Sequence, residues 1–187
     1  MRREGFTLVE LSIVLVIIGL LIGGILKGKA MIDNAKLKKV KSDIDGIVAA
    51  VYAYQDRYSY LPGDDVNNRE ADLGATGCTA GKGNGDGLFN HTHEYSCAWQ
   101  ELIGAGLISG DKTKHDVNIV AKRSPYGGRY LFRYNTNGNH IFIDNMPSDK
   151  VKALDEKYDD GQYNSGMIQA NADYATTGNR DVYWYAF

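Results

Sequence analysis

Apolar and polar positions divide the chain sharply. From Phe6 to Leu26 the residues are almost all apolar, and Glu10 is the only charge. At ~1.5 Å per residue a helix over this stretch is roughly 31 Å long, about one hydrocarbon core. Apolar residues then recur at helical spacing at Ile32, Val40, Ile44, Ile47, Val48, Val51 and Tyr58, with lysines and aspartates between them. The pattern predicts one long helix from about Phe6 to about Tyr58, ended by Pro62-Gly63. Two helices with a kink near Gly28 are the competing reading. The Lys36–Lys41 run reads as a solvated face or a headgroup contact.

Beyond the helix the pattern changes. Residues 62–93 are loop-rich, with glycine at alternate positions through Gly81-Lys82-Gly83-Asn84-Gly85-Asp86-Gly87. Glu94–Leu107 predicts a short helix that buries Trp99, Leu102, Ile103 and Leu107, with Gly106 near its end. Arg129–Tyr134 and His140–Ile143 flank a turn containing Asn137-Gly138 and predict a hairpin. Val182–Phe187 is a β-favouring terminus, Asn118–Ala121 and Met167–Ala170 are weaker strand candidates, and Val151–Tyr158 suggests a helical turn. Long helix first and strands later predict an α+β fold, with a small antiparallel sheet packed on the helix.

Composition adds exclusions. Lys+Arg 21 against Asp+Glu 23 leaves a net charge of -2, so no global basic field recruits nucleic acid. The lysine run also lacks the interleaved aromatics of a single-strand binder. The glycine loop fits neither a phosphate-binding nor a dinucleotide fingerprint. Ser124 has no nucleophile-elbow context, and His115 and His140 stand alone, so no catalytic constellation is visible and the chain reads as a non-enzyme. Tyr52, Tyr54, Tyr58 and Tyr60, and the Tyr183-Trp184-Tyr185 run, read as packing rather than as an electron-transfer or glycan-binding path.

A secretory signal would have a shorter apolar run and a small-x-small site; here the run ends in Lys27-Gly28-Lys29. A plain membrane anchor leaves Glu10 unexplained, because a carboxylate in a bilayer segment is costly and normally has a partner. Gly5-Phe6-Thr7-Leu8-Val9-Glu10 followed by Leu11-Ser12-Ile13-Val14-Leu15-Val16-Ile17-Ile18-Gly19 resembles the processing and assembly signal of type IV pilins and type II secretion pseudopilins. The resemblance is specific over residues 5–26. It implies cleavage between Gly5 and Phe6 by a prepilin peptidase, N-methylation of Phe6, and use of the apolar run first as a membrane anchor and then as a filament core. The expected partners are like pilin subunits in a helical polymer, the peptidase and an inner-membrane assembly platform. The expected location is a single-pass inner membrane protein with its head outside the cytoplasm, then a surface pilus or a periplasmic pseudopilus. The process served would be adhesion, motility, DNA uptake or secretion. The alternative is a monomeric membrane-anchored ligand-binding module.

On this reading residues 1–5 are a leader, 6–28 the membrane and filament-core helix, 29–60 its amphipathic half and 61–187 the head. The new amine on Phe6 would meet Glu10 of a neighbouring subunit and fix register between otherwise featureless helices. Gly19, Gly23, Gly24 and Gly28 mark either weak points in the helix or sites of close helix packing. Charge counting stands against the implied orientation. Arg2 and Arg3 precede the span, but Lys27, Lys29, Lys36, Lys38, Lys39 and Lys41 follow it.

Cys78 and Cys97 outside the cytoplasm suggest a disulfide, of order ~3 kcal/mol for a loop of this size. A zinc site using Cys78, Cys97, His91 and His93 is the rival, although the spacing matches no standard finger. Asp155, Asp159 and Asp160 before Gly161, and Asn84 with Asp86, offer oxygen ligands of the kind calcium takes, but neither follows the full EF-hand spacing and solvated acidic turns are the preferred reading, so no cofactor is required. Calcium sites occur in pilin-like heads, and Asp159-Asp160-Gly161 through Gly166-Met167-Ile168 is similar to a loop of that family.

Overall fold

The computed structural model describes residues 7–67, 69–75, 83–114 and 116–187, except the side chains of 70, 71, 93, 118 and 119. Contacts divide the chain into two units, Met1–Lys38 and Lys39–Phe187. Helix α1 spans Leu8–Tyr58 without a break, so no second helix begins at Gly28. Its end is set by Ser59, which takes a left-handed φ of 64°, rather than by the later Pro62.

From Leu8 to Leu26 the helix is exposed on every side, and burial begins only at Leu37. Leu8 through Leu26 present their aliphatic side chains to the surroundings, and Ile32 is exposed as well. Ile32 thus does not continue the buried stripe predicted for it, although its spacing fits; spacing specifies a helical face but not what covers that face.

The second unit is α+β. Its helices besides the end of α1 are α2 (Arg69–Asp72), α3 (Thr92–Gly104), α4 (Val117–Val120) and α5 (Ser148–Tyr158). Strands β1 (Tyr130–Asn135), β2 (Gly138–Pro147), β3 (Ile168–Ala170) and β4 (Asn179–Trp184) form one antiparallel sheet in the order β1-β2-β4-β3. Asn118–Ala121, predicted as a strand, lies largely in α4 instead. Val120 and Ala121 donate their N–H groups to the carbonyls of Asp116 and Val117, four residues back. So short an apolar run carries too little periodicity to choose between helix and strand.

Val40, Ile44, Ile47, Val51 and Tyr54 are the buried stripe of α1 in this unit. Facing them, alternate strand residues turn inward: Tyr130 and Phe132, Ile141 and Ile143, Val182 and Trp184, and Ile168 and Ala170. Trp99 of α3 completes the core, its ring 5.4 Å from that of Phe132. Helix α3 ends in a Schellman motif. Leu107 N–H reaches the Leu102 carbonyl and Gly106 N–H the Ile103 carbonyl, with Gly106 at φ 72°. The β1–β2 hairpin closes with Asn135 opposite Gly138, and it is Gly138, not Asn137, that takes the positive φ.

One charge expected on the solvated face is inside. Asp43 is buried and accepts from Lys39 at 2.7 Å, Lys122 at 2.8 Å and the Tyr130 hydroxyl at 3.4 Å. Burial, and then the Asp43 charge beside it, push the Tyr130 phenol above its ordinary range. Asp43 thereby ties α1 to β1 and to the segment before it.

Candidate functional site

The sequence directs attention to the start of α1. Gly5 and Phe6, the expected processing pair, lie outside the described residues. The next turn is well defined. Thr7 donates its backbone N–H and its hydroxyl to Glu10 Oε2, both at 2.8 Å, and Glu10 N–H reaches Thr7 Oγ1 at 3.3 Å. This is a reciprocal capping box: two backbone donors that have no partner within the helix find side-chain acceptors. The Thr-x-x-Glu spacing is its signal in the sequence, with Thr7 the partner that the lone charge of Glu10 does not reveal. Glu10 therefore has a task within its own chain, in addition to any across subunits.

Behind this cap, helix α1 contains a stretch long and apolar enough to cross a membrane, and none of that stretch is buried. A Cβ added at Gly19, Gly23, Gly24 or Gly28 would meet nothing within 4 Å. No packing among the described residues requires glycine at those positions.

In the head, the structure brings together Asp155, Asp159 and Asp160, whose carboxylate oxygens lie within 4.8 Å of one another. Helix α5 delivers Asp155 at its buried face, and the turn after it supplies the other two. The oxygens already accept protein donors. Asp155 takes Gly161 N–H at 3.1 Å and the Tyr174 hydroxyl at 2.6 Å. Asp159 takes Ile168 N–H, and Asp160 takes Gln162 N–H and the Ser165 hydroxyl. Burial raises the Asp155 carboxyl above its ordinary range, against the lowering effect of its two hydrogen bonds. Three carboxylates on a bent loop suit the hard-oxygen preference of calcium, which would share these oxygens with the donors named.

A second carboxylate group joins Asp64, Asp86 and Glu94. Only Asp86 was singled out from sequence, together with Asn84; Asp64 and Glu94 come from neighbouring segments with no shared motif. Asp64 accepts N–H groups of Gly85 and Gly87, and Glu94 caps α3 by accepting from Asn90 and His91. Asn84 donates its side-chain amide to Asp86. This group folds the glycine-rich loop onto α3.

Cys97 is buried on α3. Cys78 lies outside the described residues, as does the side chain of His93, while His91 is exposed. His115 is also outside them. His140 is a packed polar residue, with its ring centroid 5.4 Å from that of Tyr183 and 5.1 Å from that of Tyr185.

Residues 1–26 match the family model for the prokaryotic N-terminal methylation motif. No curated protein and no solved structure matches the chain. The motif and the capped apolar helix behind it support membrane anchoring, and the motif indicates a structural subunit rather than an enzyme. The chain carries the N-terminal signature of the type IV pilin and pseudopilin family, and its long apolar helix fits that family.

Proposed function

We propose that the protein is a structural subunit of a type IV pilus or a related pilus-like filament. A prepilin peptidase cleaves between Gly5 and Phe6, Phe6 is N-methylated, and subunits polymerise through α1. The observation that carries this reading is the apolar stretch of α1 through Leu26, exposed on all sides, with its single charge, Glu10, held in the first turn inside the matched methylation motif. Stored in the inner membrane with its head outside the cytoplasm, the helix passes into a bundle of like helices with little gain in transfer energy. Packing and the cross-subunit Phe6–Glu10 pair then hold the core. The head forms the filament surface, stapled by Cys78–Cys97 and steadied by calcium at Asp155, Asp159 and Asp160.

Mass spectrometry of the protein recovered from its host tests the reading: the expected chain begins at methylated Phe6. Negative-stain microscopy then distinguishes long pili from short pseudopili. A chain still beginning at Met1 and remaining monomeric would replace this reading with a membrane-anchored ligand-binding module.

A further inference from the structure

The face of the sheet turned away from the core carries Leu131 and Arg133 on β1, paired with Phe142 and His140 on β2. Arg133 is held there by rings. Its guanidinium lies 4.5 Å from the Tyr95 ring centroid and 5.8 Å from that of Phe142. Among the described residues no carboxylate lies within ion-pair distance of it, whereas its neighbour Arg129 forks onto Asp144. Arg133 is half-buried, so its orientation is restricted and part of its hydration is already removed.

The guanidinium borders a cavity of about 170 Å³, lined also by Thr92, Tyr95, Ser96, Arg129 and Leu131. The Thr92 and Ser96 hydroxyls stand on α3 and Leu131 supplies an apolar wall. Arg129 is paired with Asp144, so among the described lining residues Arg133 is the charge without a carboxylate.

We propose that this cavity binds a small carboxylate, with Arg133 as its charge partner. A planar guanidinium matches a planar carboxylate through two parallel hydrogen bonds, and stacking on Tyr95 and Phe142 pre-orients it so that little rotamer freedom is lost on binding. The volume of about 170 Å³ suits a carboxylate on a single ring or short chain. This site is independent of the filament function and does not require it.

The test uses the full-length protein in detergent micelles at low salt, titrated with sodium glucuronate and, in parallel, with glucose, and read by ligand-observed saturation-transfer NMR. Glucuronate binds and glucose does not. Arg133→Gln weakens glucuronate binding by about tenfold or more, as expected for loss of a charged hydrogen-bonding partner. Arg133→Lys, which keeps the charge but not the fork, binds more weakly than the parent and more tightly than Arg133→Gln. Equal binding of glucose, or unchanged affinity in Arg133→Gln, overturns the proposal. Competition by inorganic sulfate as strong as glucuronate itself overturns the preference for a planar carboxylate. Absence of glucuronate binding by the parent protein refutes the small-ligand site, and if Arg133→Gln then also stops filament formation, the partner is an acidic side chain of another subunit.

Discussion

Gly63 offers a quantitative test of the head. It sits at φ 83°, and its N–H donates to the buried Glu101 carboxylate at 2.7 Å. A Cβ built there would lie 2.0 Å from the Glu94 carbonyl oxygen and 3.0 Å from the Ala98 nitrogen, both backbone atoms of α3. Gly63→Ala therefore meets two penalties. A left-handed backbone costs an L-residue roughly 1–2 kcal/mol. Relieving contact with a helix backbone, which has no flexible side chain to move aside, adds roughly 1–3 kcal/mol. The expected loss is about 2–5 kcal/mol. Gly87→Ala is the matched control. Gly87 has φ 78°, but nothing lies within 4 Å of its added Cβ, so only the backbone penalty applies. Both tryptophans, Trp99 and Trp184, are buried in the head, so urea unfolding of the full chain in detergent can be followed by their fluorescence. Gly63→Ala should unfold at clearly lower urea than Gly87→Ala, with unchanged slope. If the two variants are equally stable, the loop does not approach α3 as described.

Other outcomes follow from particular residues. Glu10→Leu should insert into membranes as well as the parent, because an apolar residue replaces a carboxylate, yet enter no filaments; normal pilus yield from that variant would remove the cross-subunit role. Reduction should raise the intact mass by two hydrogens, as the proposed Cys78–Cys97 bridge requires; an unchanged mass would remove the staple. Burial lowers the His140 pKa, and the nearby Arg133 charge acts in the same direction. The unfolded chain then binds the proton more readily, so stability present above the ordinary imidazole value of about 6.5 is lost as pH falls through it toward the lower folded value. His140→Phe keeps the ring between Tyr183 and Tyr185 and should flatten that slope; an unchanged slope would place its origin elsewhere. Calcium should raise the melting temperature of the head, and Asp159→Ala should abolish the rise. An equal rise in the variant would assign the ion to another place.

The sequence by itself determined whatever depends on local spacing. The apolar run, its lone acid and the helical recurrence through Val40, Ile44, Ile47 and Val51 specify α1, because helix formation is a matter of neighbouring residues. The Asn135–Asn139 turn and the Gly106 stop were legible for the same reason: a positive φ selects glycine wherever the chain must turn. The Asp155–Asp160 cluster was visible because its members lie within one turn of chain. Tertiary structure alone decided what covers each face. Asp43 reads as one more charge in a polar stripe, spaced to pair with Lys39, until Lys122 and Tyr130 meet it from outside its helix. Asp64 joins Asp86 and Glu94, and Arg133 lies over the Tyr95 ring, across separations of more than twenty residues that no periodicity records. Ile32 and Ile44 share a spacing yet differ in burial. A side chain's own chemistry states only a preference for cover, and whether cover arrives depends on which distant surface the fold places against it.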